Sequence, residues 1–301
     1  MSSAPAWRFD THAHVWGSGD GRYPYTPIPP AKGSPESPCP AGSLLDAMQQ
    51  AEIATCVLVQ PSTYGWNNDY LLDVVAGHPD RFVAVVLVDP SDTGSPRKLT
   101  ELAATANVRG VRFHVLDRQQ AGDFTANGAA LCAAAFDAGL VVAVQVNAEH
   151  LALIDDMLRR CDTAGTVVID HMGLVDPADS LGTSRLLSLA THPNVFVKLS
   201  GAEVLSKQGY PFADCRPLAE AIVERFGTQR VMWASNYPHV LKRCTMVDIA
   251  EIAAHLLPGL TAPERSQVEH ETARSVWTPT TAATRAAQPT LRTIRGEGRS
   301  A

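Results

Sequence analysis

His12 and His14, in the stretch THAHVW, are the first residues in the chain whose types and spacing suit chemistry. In an extended strand, residues i and i+2 project to the same face. The two imidazoles therefore point one way, as a chelating pair or as paired donors to a carbonyl. Polar pairs of matched parity recur: Arg112 and His114 in VRFHV, Gln145 and Asn147 in VQVN, Lys198 and Ser200 in VKLS. Gln60 closes TCVLVQ, Asp170 and His171 follow TVVI, and Asn236, Tyr237 and His239 follow RVMWAS. An unpaired buried polar group costs about 1–3 kcal/mol, so this many at the ends of apolar runs imply a polar pocket. Some have plainer readings. Arg112 is either an anion clamp or an ion-pair partner, and Lys198 either binds an anion or pairs with a buried carboxylate. Asp170 either acts or orients a histidine, and His114 is either pocket wall or hydrogen-bonded core.

These residues need elements that bring them together. Eight short apolar runs (7–15, 55–60, 82–88, 108–115, 140–147, 166–170, 194–200 and 230–235) alternate with helical patterns. Their Val, Ile and Phe content suits strands buried on both faces. Eight β–α pairs predict a single-domain (β/α)₈ TIM barrel over residues 1–276, in which chemistry gathers at the C-terminal strand ends. A doubly wound open sheet is the runner-up, weakened by the lack of GxGxxG after the first run. Asn67 and Ser184 are candidate helix N-caps, and Gly139 and Gly227 candidate stops. Residues 17–41, rich in Pro, Gly and Ser, read as an irregular loop, and 277–301 as a poorly ordered tail.

With a net charge of −6, nucleic acid and anionic membrane are not expected partners. The six cysteines are scattered with no CxxC, which suits buried reduced thiols. Neither a signal peptide nor an apolar run of membrane-spanning length is visible, so a cytoplasmic enzyme, either monomer or homodimer, is expected.

In order and spacing, DTHAHVW, VRGVRFHV, VVIDHMG, NVFVKLSG and RVMWASNYPH resemble the amidohydrolase-2 branch of the amidohydrolase superfamily, in particular the 2-pyrone-4,6-dicarboxylate lactonase-like group. The resemblance covers about residues 7–275 and implies a distorted TIM barrel. Carried onto matching positions, it makes His12, His14 and His171 the catalytic histidines, Arg112 a substrate-binding arginine and Gln60 part of the pocket wall. His114, Gln145, Asn147, Lys198, Tyr237 and His239 join them as expected substrate contacts. Decarboxylases of this branch hold one divalent metal, whereas the lactonase group works without one. The expectation is therefore no cofactor, with one Zn or Mn on His12, His14 and His171 as the alternative. The family's lactonase carries a tyrosine at Gln145 and an arginine in the segment GAEVLSKQG, so a less anionic substrate is expected here.

Asn236 stands where the family has its strand-8 aspartate. Such an aspartate takes the proton of the hydrolytic water, and general-base catalysis contributes about 10²–10⁴-fold. An amide orients water but accepts no proton. The expected function is lactone or cyclic-ester hydrolysis, impaired by Asn236, with Asn236→Asp restoring it. The alternatives are a metal-dependent decarboxylase, a cyclase or isomerase in the same pocket, and a non-catalytic small-molecule-binding barrel.

Overall fold

The computed structural model describes residues 8–31, 33–161 and 164–278. All eight apolar runs are parallel strands: β1 (Arg8–Ala13), β2 (Ile53–Val59), β3 (Phe82–Leu87), β4 (Val108–Val115), β5 (Val141–Val146), β6 (Val167–Ile169), β7 (Val195–Leu199) and β8 (Val231–Trp233). They pair in sequence order as one nearly closed sheet, the TIM barrel expected from the alternation. Val59, Val85, Ala143, Val168 and Met232 fill the barrel axis, while Leu58, Val86, Val111, Val144 and Ile169 pack outward against the helices. Both strand faces are apolar because both are covered, which is why these segments read as continuous runs.

Helices follow every strand: α1 (Ala41–Gln50), α2 (Asp69–Gly77), α3 (Ser95–Ala103), α4 (Arg118–Asp137), α5 (Ala152–Arg160) and α6 (Ser180–Ser188) succeed β1 to β6. The short α7 (Ala202–Leu205) and α8 (Arg216–Phe226) follow β7. After β8 come α9 (Met246–Ala250), α10 (Ile252–Leu256), α11 (Ala262–Ser266) and α12 (Thr272–Trp277). The Asn67 side chain accepts the Asp69 N–H at the start of α2, at 2.8 Å. Ser184 lies inside α6 and does not cap it. Asp179, extended just ahead of the first turn, accepts from the N–H groups of Leu181 and Gly182 instead. Gly139 and Gly227 both take positive φ at helix ends, a conformation that disfavours a Cβ.

Trp277 packs with Ala273 and Met232 in the inner cluster and is fully buried. Its indole N–H points at the Met232 sulfur, 3.3 Å away. The packed chain thus reaches Trp277. The rest of the expected tail, from 279, lies outside the described residues. The expected distortion is at the β8–β1 seam. There, Asp10 accepts from the N–H groups of His12 (3.0 Å) and Ser235 (2.9 Å), and the seam bonds run from Asn236 N–H to the His12 carbonyl and from His14 N–H to the Tyr237 carbonyl. None of the cysteines forms a disulfide, and among the described residues no helix is long and apolar enough to cross a membrane.

Candidate active site

The β1 pair sits where parity puts it. His12 and His14 are buried with their Nε2 atoms 3.1 Å apart. His14 Nδ1 is 2.8 Å from the Val59 carbonyl, which can only accept, so Nδ1 carries the proton and Nε2 is left as an acceptor. Lys198 Nζ lies 3.2 Å from His12 Nδ1. With the ammonium donating there, His12 Nε2 carries the proton and donates to His14. One directional chain, Lys198 to His12 to His14 to Val59, satisfies all four partners.

His171 joins from the end of β6, its ring centroid 4.5 Å from that of His12 and its Nδ1 3.0 Å from Ser200 Oγ. His171, Met172 and Leu174 all take positive φ, an uncommon backbone that here turns the ring back over the barrel mouth. Gly201 makes room for it. A Cβ at Gly201 would stand 2.7 Å from the His171 Cβ, and its φ of +78° disfavours any side chain. Gly201→Ala is therefore expected to cost roughly 1–2 kcal/mol from backbone conformation alone and to push His171 aside. A lowered melting temperature together with a loss of turnover would show this.

Asp170 is the counter-charge of the site. Lys198 Nζ is 2.9 Å from Oδ1, Arg112 Nη1 is 3.8 Å from Oδ2, and His12 Nδ1 is 3.5 Å from Oδ1. Burial pushes the Asp170 carboxyl up, but the Lys198 charge more than offsets this and holds it well below the usual carboxylate range. Burial, then the Lys198 charge, pushes His12 well down. Burial, then neighbouring His12 and Arg112, does the same to His14. Burial pushes His171 down to about 4 despite Asp170. The three imidazoles are therefore neutral at pH 7.

The remaining expected residues divide. Gln60 is buried; its side-chain amide donates to the Asn67 carbonyl at 2.6 Å, and its backbone carbonyl accepts from Arg112 at 3.2 Å. Arg112 Nε, His114 Nε2 and Gln60 Oε1 are buried without a hydrogen-bond partner among the described residues. Gln145 is half-buried beside His114 in the β4–β5 register. Asn147 is turned elsewhere, its amide tying the loop to the Leu116 carbonyl. Tyr237 packs in the outer core with its hydroxyl 3.5 Å from Cys39 Sγ, following the positive-φ residue Asn236. It is not among the histidines. His239 stands at the exposed rim, 5.5 Å from the His14 ring. Among the loop tyrosines, Tyr23 packs on Tyr70 and Tyr25 on Tyr64, while Tyr210 packs on Phe212 and His255.

Asn236, at φ +59°, is buried with its backbone N–H on the His12 carbonyl. Its side-chain amide donates to Glu203 Oε1 at 2.5 Å. Sequence reasoning missed Glu203. The one available signal was an acidic residue in the small, apolar GAEVL directly after β7. Asp10 was also missed; its carboxyl is raised to about 6, chiefly by burial, and its Oδ2 accepts from Ser235 Oγ at 2.5 Å.

A nearly closed parallel barrel with an HxH pair on its first strand and a histidine after its sixth defines a catalytic (β/α)₈ barrel of the amidohydrolase type. The chain belongs to the amidohydrolase-2 family, whose amidohydrolase model matches residues 9–278. It is 28% identical over 241 residues to the 4-sulfomuconolactone hydrolase of Rhizobium radiobacter, covering 78% of this chain and 77% of that one. A Pseudomonas putida structure, provisionally assigned as a 2-pyrone-4,6-dicarboxylic acid hydrolase, superposes with TM-score 0.74 at 26% identity, covering 90% of this chain and 97% of that one. A Burkholderia multivorans amidohydrolase solved with bound zinc shares the fold with TM-score 0.73 at 22% identity, over 90% of this chain and 99% of that one. The resemblance to the lactonase-like group read from the five motifs is borne out.

Proposed function

We propose that this protein hydrolyses a lactone carrying one carboxylate. The observation that carries the reading is the meeting of three neutral imidazoles, His12, His14 and His171, beside a buried arginine at the barrel mouth. The lactone-hydrolase relatives support the same reaction class. A Ser200 hydroxyl donating to His171 Nδ1 leaves the other ring nitrogen protonated, as a donor for the lactone carbonyl oxygen. Lys198 is engaged by Asp170 and His12, so Arg112, with its Nε unpartnered, is the cation left to hold a substrate carboxylate. A single such cation suits a monocarboxylate better than a dicarboxylate. Asn236 orients the attacking water.

The donor set suits a divalent metal poorly. His12, Asp170 and His171 place ligand atoms within 4.8 Å of one another, but the Lys198 ammonium lies 2.9 Å from the Asp170 carboxylate and 3.2 Å from His12 Nδ1. That ammonium supplies the positive charge a metal would bring, and the strand-8 amide is already bonded to Glu203. No step here passes through a metal. The test is a panel of mono- and dicarboxylate lactones followed by pH-stat titration, with metal content measured on the same sample. Turnover of a monocarboxylate lactone that survives chelation is expected. Carbon dioxide release dependent on stoichiometric zinc or manganese would instead establish the decarboxylase.

A further inference from the structure

We propose that Glu203 is the proton acceptor for the hydrolytic water, so that the task of one strand-8 carboxylate is shared between Asn236, which orients the water, and a carboxylate on α7. The proposal rests on the lactone-hydrolase reading. Glu203 is 4% exposed, and α7 begins at the barrel mouth, directly after the glycine that packs against His171. Its Oε1 accepts from the Asn236 amide. Its Oε2 is buried with no hydrogen-bond partner among the described residues. Arg243, whose charge acts on the carboxylate, donates to the Glu203 backbone carbonyl at 2.9 Å, and among the described residues no ion pair to the Glu203 carboxylate forms. A carboxylate buried without a cation is costly. A structural role would be served as well by glutamine, whose carbonyl accepts the same bond from Asn236.

The histidines are poorly placed for the task. The facing nitrogens of His12 and His14 are bonded to each other, and their other nitrogens to Lys198 and the Val59 carbonyl. His171 Nδ1 is engaged by Ser200. Burial raises the Glu203 carboxyl from its ordinary value, which makes the carboxylate a stronger proton acceptor. Its titratable and charged surroundings are Arg243 and the thiols Cys215 and Cys244. In the step itself, the water oxygen bonds to the lactone carbonyl carbon as its proton passes to Glu203 Oε2. The ring C–O bond of the tetrahedral intermediate then breaks, and the same proton moves to the departing ring oxygen. The product is the hydroxy acid, and the carboxylate is restored.

The experiment compares wild type with Glu203→Gln and Glu203→Ala on whichever lactone the wild type turns over. Glu203→Gln is expected to keep its melting temperature and KM and to lose about 10²–10⁴-fold in kcat. Formate or acetate is expected to restore part of the activity of Glu203→Ala by supplying a carboxylate in the vacated volume. Glu203→Gln within tenfold of wild type would overturn the proposal and leave the lactonase reading standing. A wild type that turns over no lactone would overturn the reading and the proposal with it. If Glu203→Gln fails to fold, Glu203→Asp decides. A kcat loss with unchanged KM supports the proposal, and wild-type kcat overturns it.

Discussion

Asp170→Asn is expected to lower folding stability by about 3–5 kcal/mol, the usual cost of breaking a buried ion pair from one side. Asp170 is fully buried and is the carboxylate within ion-pair distance of both Lys198 and Arg112. Removing its charge leaves two buried cations without compensation. The intact pair adds less than this figure suggests. Burial holds the Lys198 ammonium below its usual range even as Asp170 opposes the shift, so the carboxylate gains from folding while the ammonium loses. The sign of the pH dependence follows. A carboxyl depressed in the folded state contributes stability above its unfolded value, about 3.9, and loses it as pH falls through the folded value. The gap between wild type and Asp170→Asn should therefore be full at neutral pH and shrink in acid below about pH 4. Asp170→Asn with Lys198→Met should recover part of the loss, because one orphaned cation goes too. Urea unfolding, followed through buried Trp233 and Trp277, measures all three. A loss under about 1 kcal/mol at pH 7 would mean that the pair is not ionised as described.

The second large effect concerns Asn236. Read from the sequence, Asn236→Asp supplies a missing base and restores activity. The contact with Glu203 is the argument for the opposite outcome, because the Asn236 amide nitrogen is 2.5 Å from Glu203 Oε1. An aspartate there would face a buried glutamate, and two carboxylates at that distance cannot both ionise. They would share one proton and titrate as a pair with split apparent values. Asn236→Asp alone is expected to lose on the order of 10²-fold in kcat near neutral pH, the lower end of what a general base supplies. Adding Glu203→Gln exchanges the two roles, with the carboxylate on the β8 side and the amide on α7. The double variant should therefore exceed either single variant. Such a reversal of sign is the signature of a coupled pair. Full activity of Asn236→Asp alone would show that Glu203 and residue 236 do not meet in solution. The pairing also supports Asn236 as the residue this pocket is built around, not a defect in it.

The sequence by itself determined the eight alternating strand and helix segments and which residues share a strand face. Eight runs rich in β-branched residues suit strands buried on both faces, as in a parallel sheet. Strand parity alone was enough to put His12 beside His14 and Arg112 beside His114. It also placed Lys198 within the barrel, although not the fact that its ammonium is matched by Asp170. Parity fails once the strand ends, and this accounts for Tyr237 and Asn147. Asn236 itself takes a left-handed conformation, after which the tyrosine packs outward, and Asn147 bonds to a neighbouring loop, which no periodicity encodes.

Only the tertiary structure decided the proton chemistry. The tautomers of His12 and His14 are set by a carbonyl on β2 and an ammonium on β7, contacts 45 and 186 residues away in sequence. The carboxylate that accepts from Asn236 lies on α7, 33 residues earlier, because neighbouring strands of the barrel deliver their loops to one mouth. Residue type and spacing can specify which face a side chain takes. Which partner it meets there depends on long-range packing, and in a buried site that partner sets both charge and proton position.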